Sequence, residues 1–334
     1  MLTRQEQNRE YEAFIADAEK QSTEAVKETL AYLGRSDLFF LLTHLLNRPD
    51  VNNDWLYARC REVQAEPDGM LDLWAREHYK STIITFALTI QDILNDPELT
   101  VGIFSVNYKL AQDFLKQIKE ELENNLLLKE LYTDVLYANP TKDSPCWGVE
   151  SGIRVKRESN PREETVEAWG FFGGSLPTGK HFRVLIYDDI VTEKSVTNYE
   201  QLSKAFDTLR ASFPLGSQRG GKRRMAGTRY HFSDAWGAVI KAGIAKARIY
   251  PATDDGTATG RSVFLSQERF ETRYKEWGSY IGACQLLLNP KADEAQGFSK
   301  EWLRYWTPKS EFYDKMNIYI IVDPSGERKH KETG

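Results

Sequence analysis

Three groups of polar residues have types and spacing suited to binding and cleaving a phosphate anhydride. The first is AREHYKST, residues 75–82, between a predicted strand and a predicted helix. A phosphate-binding loop needs inward amides at a helix N-terminus, a lysine for the β and γ phosphates, and a hydroxyl for Mg²⁺. Lys80 and Ser81 supply the last two, but Trp74 and Tyr79 replace the glycines of the usual G-x-x-x-x-G-K-[ST] pattern. The segment alone is compatible with a nucleotide site and with an ordinary strand-to-helix loop.

The second group is a pair of acids at the end of an apolar run. The sequence HFRVLIYDDI predicts a buried strand that ends in Asp188 and Asp189. Two carboxylates in that place are costly unless a metal or a reacting water uses them. We expect Asp188 to hold the Mg²⁺ shell and Asp189 to orient or deprotonate the attacking water, with Glu193 as a rival for that role. In the alternative, Asp189 caps the following helix or turn.

The third group follows another predicted strand, in RRMAGTRYHFSDAW. The hydroxyl of Thr228 at the end of that strand could sense the γ-phosphate or the water from the neighbouring strand. The signal is weak by itself, because Gly-Thr at a strand end is common in turns.

A basic run, SQRGGKRR, precedes the same strand. It contains Arg219, Lys222, Arg223 and Arg224 around two glycines. These side chains could contact DNA phosphates from a flexible loop. A solvated hairpin turn is the alternative.

Hydrophobic periodicity indicates the elements that must position these groups. Residues 4–48 and 54–65 have the spacing of amphipathic helices, and strands then alternate with helices. The predicted strands are 70–75, 100–106, 152–157, 166–172, 182–190 and 220–230, and the predicted helices are 81–94, 109–125, 198–213 and 234–244. This alternation predicts an α/β fold with a largely parallel sheet and with ligands at the carboxyl ends of its strands. Residues 248–308 are less regular and predict mostly short helices, and a last strand is predicted from Met316.

The composition excludes several classes of protein. The 334 residues are 41% hydrophobic and 28% charged, which is typical of a folded protein. The net charge of −5 gives no general attraction to nucleic acid, so a DNA contact would need a local patch. No apolar run approaches the roughly 18 residues that span a membrane, and the N-terminus lacks the features of a signal peptide. The cysteines, Cys60, Cys146 and Cys284, have no metal-binding spacing and predict a reducing, cytoplasmic compartment.

Taken in this order, the motifs resemble those of the large terminase subunit of tailed phages. AREHYKST is similar to the family's Pro/Ala-Arg-Gly-His-Gly-Lys-Ser-Thr loop, with Glu77 and Tyr79 in place of glycine. GSLPTGKHFRVLIYDDI resembles the lead-in to its Walker B strand, and GTRYH resembles its coupling motif. SYIGACQLLLNPKADEAQGFSKEWLRYW is similar to the segment between its ATPase and nuclease domains, and IYIIVDPSG to the first strand of its RNase H-like nuclease. The resemblance covers residues 71–326.

The resemblance implies a P-loop (ASCE-type) NTPase fold, with a mainly parallel central sheet flanked by helices and a small helical linker subdomain. The implied divisions are an N-terminal helical region packed on the ATPase (1–65), the P-loop ATPase core (66–250), the linker subdomain (251–315) and the first strand of a nuclease domain (316–334).

The resemblance also implies ATP and Mg²⁺ as cofactors and assigns roles to residues. The residues implied to line the nucleotide are Arg76, Glu77, His78, Tyr79, Lys80, Ser81 and Thr82. Ser81 and Asp188 would hold Mg²⁺. Arg76 would contact the γ-phosphate from the same subunit, unless an arginine of a neighbouring subunit does so; its alternative is an ion pair with Glu77 or Asp188. Only Asp323 of the nuclease carboxylates is present, so we expect a fragment of a longer subunit without nuclease activity.

The implied function is ATP-driven movement of double-stranded DNA into a procapsid, in the cytoplasm of an infected bacterial host. The implied partners are the DNA, the portal protein, the small terminase subunit and further copies of the chain in a ring, with no membrane. A monomer in isolation is compatible with this interpretation. Two alternatives stay open: another P-loop motor acting on nucleic acid, such as a helicase, and a degenerate P-loop docking module without activity.

Overall fold

The computed structural model describes residues 2–172, 176–218 and 220–290. The strands are β1 (Met70–Trp74), β2 (Val101–Ser105), β3 (Trp147–Gly148), β4 (Gly152–Ile153), β5 (Val166–Gly170), β6 (Val184–Asp188), β7 (Lys222–Gly227) and β8 (Lys246–Tyr250). The α-helices are α1 (Arg4–Glu19), α2 (Thr23–Ser36), α3 (Leu38–Phe40), α4 (Asp54–Ala65), α5 (Leu88–Asn95), α6 (Tyr108–Asn124), α7 (Leu126–Leu131), α8 (Pro140–Asp143), α9 (Tyr199–Ser212), α10 (Ala235–Lys241) and α11 (Gln267–Gln285). Leu41–Leu45 and Thr82–Ala87 are π-helical, and Pro49–Val51, Glu193–Val196 and Phe213–Leu215 are 3₁₀ helices.

The strands form one sheet in the order β3-β4-β5-β2-β6-β7-β1-β8. The six strands from β5 to β8 in this order are parallel, and β3 and β4 extend the sheet in antiparallel pairing. The predicted α/β fold with a largely parallel sheet is therefore confirmed. In the register, Ala226 of β7 is the partner of both Asp72 in β1 and Asp188 in β6. The carboxyl ends of these three strands thus meet at one edge of the sheet.

Helices cover both faces of the sheet, which explains why its strands read as continuous apolar runs. Side chains alternate between the faces along β6. Val184 and Ile186 belong to the core on the side of α5 and α6, whereas Leu185 and Tyr187 belong to the core on the side of α9 and α10. A single strand therefore fixes both layers and ends at the acid pair.

The N-terminal helices share the core on the side of α5 and α6. Asp37 caps α3 by accepting hydrogen bonds from the amides of Phe39 and Phe40, both at 3.0 Å. Its carboxylate also pairs with Arg61 at 2.5 Å. The two phenylalanines are completely buried in the same core as the strands.

Several segments differ from the predictions, among them β3, α7 and α8, which were not predicted. β8 was not predicted, and of the strand predicted at 152–157 only β4 forms. The strand predicted at 220–230 ends at Gly227, and α11 is one helical segment with a kink at Gly278 (φ 75°, ψ 170°), where short helices were predicted. The strand predicted from Met316 and the last part of the predicted linker subdomain lie outside the described residues. Within the described ranges, no helix is both long and apolar enough to cross a membrane.

Candidate active site

The segment between β1 and the following helix has a main chain shaped like a glycine loop. The helical segment that follows begins at Lys80 and continues through Thr82–Ala87 into α5. Glu77 and Tyr79 have φ angles of 66° and 59°, in the left-handed region that glycine adopts without strain. These are the two positions at which the terminase pattern that this loop resembles has glycine. For residues with a side chain, each such angle costs about 1 kcal/mol or more, so the surrounding structure must hold the turn.

Main-chain and aromatic contacts hold this loop. The Ala75 amide donates to the Tyr250 carbonyl of β8 at 2.9 Å, and the Arg76 amide donates to the Gln285 carbonyl of α11 at 3.0 Å. His78 is buried, and its Nδ1 lies 2.7 Å from the Arg76 carbonyl oxygen. Burial lowers the pKa of His78, so the ring is neutral near pH 7 and Nδ1 donates this hydrogen bond. His78 therefore shapes the loop.

The rings beside the loop form a cluster on one side of it. Trp55 and Phe264 each have a ring centroid 5.3 Å from that of His78. The Tyr79 ring meets Phe264 edge to face at 5.7 Å. Tyr79 thus has a packing role, in which its ring supports the turn that its φ angle strains.

The main-chain amides of residues 77–82 are the candidate anion-binding groups of the loop. Across the described ranges, none of these six amides donates a hydrogen bond to a main-chain or side-chain acceptor, whereas the amide of Ile83 donates to Tyr79. They lie at the N-terminus of the helix that begins at Lys80. Free amides at a helix N-terminus form a site for phosphate or another anion.

Lys80 joins this loop to the acids at the end of β6. Its Nζ lies 2.8 Å from Oδ1 of Asp189 and 4.0 Å from Oδ1 of Asp188. The lysine is 7% exposed and Asp188 is completely buried. The loop and the acid pair therefore form one charged cluster at the edge where β1, β7 and β6 end.

Asp188 is held as a buried, partly satisfied carboxylate. Its Oδ2 accepts a hydrogen bond from Thr85 at 2.5 Å. Among the described residues, its Oδ1 has no hydrogen-bond partner. Burial raises the pKa of Asp188 to about 6, although Lys80 and the hydroxyls of Thr85 and Ser81 oppose that rise. Burial thus favours the protonated form of this acid, and Lys80 favours the ionised form.

Asp189 faces the loop. Its φ is 50°, and its amide donates to the Ala226 carbonyl of β7 at 3.0 Å. Its carboxylate contacts Lys80 and lies 3.6 Å from Nη1 of Arg76. The 3₁₀ helix that follows is capped by Thr192. Asp189 therefore does not cap this helix, and its carboxylate is directed to Lys80 and Arg76.

Arg76 reaches across the site to a residue that the sequence analysis missed. Its Nη2 donates to the Tyr230 hydroxyl at 3.3 Å. Its nearest ion-pair partner is Asp189 and not Glu77 or Asp188, which were the predicted alternatives. The guanidinium side chain is 41% exposed, so it lies at the opening of the cluster. Burial raises the pKa of Tyr230, which stays a neutral donor and acceptor.

The remaining predicted catalytic residues have different surroundings. Thr228 is buried just beyond the end of β7, beside the Tyr230 hydroxyl. Glu193 is exposed in its 3₁₀ helix, and no ion pair or hydrogen bond joins it to the loop in the part of the chain that the structure describes.

Arg229 holds Asp234, the cap of α10, through its Nε at 3.0 Å from both carboxylate oxygens. Arg229 is therefore structural.

Three more loop residues complete the cluster. Ser81 and Thr82 are half-buried at the start of the helix, with Ser81 close enough to Asp188 to lower its pKa. Glu77 is turned to α11, where Arg269 and Arg273 bind its carboxylate. Nothing in the local sequence linked these arginines to the loop.

The basic run lies at the opposite edge of the sheet, because β7 begins at Lys222 and runs parallel to β6. Arg224 is only 3% exposed, and it binds Asp92 at 2.5 Å and the Pro67 carbonyl at 2.9 Å. This burial argues against Arg224 as a DNA contact. Lys222 and Arg223 are half-buried, and the Arg223 guanidinium lies over the Phe213 ring at 4.4 Å. Arg219 and Asp323 lie outside the described residues.

The oxygen atoms at this edge fit a magnesium–nucleotide complex better than a metal bound by protein alone. Within the described residues, no group of three or more histidine, cysteine, aspartate or glutamate side chains could hold a metal ion. Mg²⁺ is usually held by one or two carboxylates together with substrate phosphates. The buried Asp188 Oδ1 without a partner and the nearby Ser81 hydroxyl meet that requirement.

No protein-family model matches the chain, and no curated protein is significantly similar to it.

Proposed function

We propose that this chain is an ATP-hydrolysing P-loop motor domain, and that it belongs to a terminase large subunit that moves double-stranded DNA into a procapsid. The observation that carries the ATPase proposal is the position of Lys80. Its Nζ lies beside two carboxylates at the end of β6, and its amide is one of six consecutive amides that have no acceptor among the described residues. A docking module without activity has no physical need for a buried Asp188 next to a second carboxylate at that point. The terminase assignment is supported by the motif order described above.

The loop would bind the phosphates of ATP. Lys80 would leave Asp189 for the β and γ phosphates, and the amides of residues 77–82 would donate to their oxygens. Asp189 would then be free to accept a proton from an attacking water or to orient it. The ion pair between Lys80 and Asp189 thus holds both groups in place before nucleotide binds.

Ser81 and Asp188 would hold Mg²⁺, which supplies charge neutralisation at the phosphate oxygens. Asp188 must be ionised for this role, and Lys80 and the hydroxyls of Thr85 and Ser81 favour its ionised form. The hydrogen bond from Thr85 fixes one carboxylate oxygen and leaves the other for the metal shell.

Arg76 would stabilise the negative charge that develops on the γ-phosphate. An arginine in that role contributes roughly 10³-fold or more to the rate. Its contacts with Asp189 and the Tyr230 hydroxyl keep the guanidinium beside the acid pair. An arginine from a neighbouring copy is the competing source, and a rate per subunit that rises with protein concentration would indicate it.

The test is steady-state ATP hydrolysis with Mg²⁺ for the parent chain, Lys80→Ala and Asp189→Asn. Lys116→Ala is the matched control, because Lys116 is exposed on α6. We expect turnover in the parent and the control and a loss of about 10²-fold or more in both site variants. Absence of turnover and of nucleotide binding in the parent at every protein concentration would refute the ATPase and leave the docking module.

Motor activity needs a second measurement, because a helicase would also hydrolyse ATP. We expect double-stranded DNA to stimulate hydrolysis and the chain to displace a third strand from a DNA triplex without separating a duplex. Strand separation would instead favour the helicase-like alternative.

A further inference from the structure

A negative charge lies inside the loop that is proposed to bind a polyanion. Glu77 lies three residues before Lys80 and belongs to the run of free amides. Like charges repel, so an unpaired carboxylate at this position would oppose the binding of ATP. The site therefore needs a reason why Glu77 does not weaken it.

Two arginines of α11 bind that carboxylate. Arg269 Nη2 lies 2.8 Å from Oε2 of Glu77, and Arg273 Nε lies 3.1 Å from Oε1. The two arginines are four residues apart and so lie on one face of the helix. Both oxygens of Glu77 are thus engaged by α11, while Arg273 also binds Glu276 at 2.9 Å.

Other contacts attach α11 to the loop without these charges. The Arg76 amide donates to the Gln285 carbonyl, and the Ala252 amide donates to the Leu286 carbonyl at 2.8 Å. Phe270 and Leu286 are buried in one small core with Ala75. Replacing the arginines therefore removes the charge pairing and leaves the helix in place.

We propose that Arg269 and Arg273 are positioning residues of the nucleotide site. They neutralise Glu77 and turn its carboxylate away from the phosphates, which allows a loop without glycine to bind nucleotide. They also hold the left-handed main chain at Glu77, where the terminase-like loop has glycine. This inference rests on the proposed ATPase function and adds to it a role for the arginines that pair with Glu77.

Loss of the two ion pairs with Glu77 should change the affinity for ATP and not the rate of its hydrolysis. Freeing Glu77 adds one negative charge close to the phosphates in the ground state and in the transition state alike. A uniform loss of binding raises KM and leaves kcat unchanged. We expect the Arg269→Ala/Arg273→Ala variant to raise KM for ATP by about tenfold, with kcat within about twofold.

Removing the glutamate should rescue the arginine variant. Glu77→Gly alone should bind ATP at least as tightly as the parent, because it removes the charge and the strained angle together. In the Glu77→Gly background, removing both arginines should change KM by less than about twofold, as expected for groups that act only through Glu77. Arg261→Ala is the control, since Arg261 is 87% exposed and pairs with Asp254.

The measurements are KM and kcat for ATP and the Kd of a fluorescent ATP analogue, after thermal melting shows that each variant is folded. Arg269→Lys/Arg273→Lys keeps both charges and should stay within about threefold of the parent, which provides a folded comparison if the alanine variant unfolds. An equal rise in KM with and without Glu77 would overturn the inference and assign direct nucleotide contact to the arginines. Unchanged KM in an active protein would also overturn it. A parent that neither binds nor hydrolyses ATP would instead refute the proposed function.

Discussion

Lys80 and Asp189 form an ion pair of 2.8 Å at the carboxyl edge of the sheet, and they come from segments 109 residues apart. The lysine that would bind phosphate and the acid that would act on water therefore bind each other. If ATP binds as proposed, its phosphates have to break this pair. The cost of breaking it is a part of nucleotide affinity that mutation can change.

The first prediction concerns Asp189→Asn. The change removes a competitor for Lys80 and a negative charge beside the phosphates, so ATP should bind about three- to tenfold more tightly. Hydrolysis should fall by about 10²-fold or more, because the amide cannot accept a proton from water. Titration with a fluorescent nucleotide and a steady-state assay would measure the two effects. Weaker binding with reduced hydrolysis would contradict the competition and indicate a purely structural Asp189.

The second prediction concerns the pH dependence of stability. Burial raises the folded-state pKa of Asp188 from 3.8 to about 6. The stability that this group contributes is present below pH 4 and is lost as the pH rises to about 6. Asp188→Asn should therefore be more stable than the parent by about 2 kcal/mol at pH 7.5 and nearly equal to it at pH 4.

Urea unfolding at the two pH values would measure this difference. Asp17→Asn, at an exposed position of α1, is the control and should change stability at neither pH. A gain for Asp188→Asn that is equal at both pH values would show that ionisation is not its cause. Under the proposed function, the same variant should lose ATPase activity. A more stable but inactive variant would show that Asp188 serves the site at a cost in stability.

The third prediction concerns the left-handed turn. Glycine usually destabilises an element relative to alanine, but at positive φ the order reverses. Tyr79→Gly should therefore be more stable than Tyr79→Ala by about 1 kcal/mol. At Lys116, in the middle of α6, the alanine variant should be the more stable by about 1 kcal/mol. Chemical denaturation of the four variants would test this; the same order at both positions would refute the conformation assigned to Tyr79.

The fourth prediction separates the basic run into two kinds of residue. Arg224→Ala removes the partner of Asp92 inside the fold and should destabilise the protein by about 2 kcal/mol or more. Lys222→Ala should change stability by less than about 0.5 kcal/mol. If this edge contacts DNA, Lys222→Ala should weaken binding at low salt without loss of stability. Equal destabilisation by Arg224→Ala and Lys222→Ala would contradict the buried pair.

The sequence was most informative where burial is complete. β6 could be predicted because its residues are apolar up to the acids, and both of its faces are covered. β8 could not, because KARIY reads as a charged segment. Arg248 in β8 is accommodated by a pair with the buried Asp72 of β1, at 2.7 Å. Periodicity does not report such a long-range pair, so an edge strand with charged residues was missed.

The candidate site was predicted in part. Lys80, Asp188 and Asp189 could be predicted, because they lie next to one another or next to an apolar strand in the sequence itself. The partners that hold the loop come from much farther along the chain: Tyr230 binds Arg76 across 154 positions, and Arg269 binds Glu77 across 192. No local pattern encodes these contacts. The missing glycines suggested a damaged loop, whereas the structure keeps the left-handed φ angles at both positions.

The strand order has a consequence for folding. β7 lies between β1, which leads to the loop, and β6, which ends in the acids, although it follows both in the chain. Lys80 and Asp189 can therefore meet only after a late segment has inserted between two earlier ones. Such non-local pairing forms slowly. Under the proposed function, nucleotide binding would then require β7 to be paired in the sheet. Peptide fragments that lack β7 would not bind nucleotide.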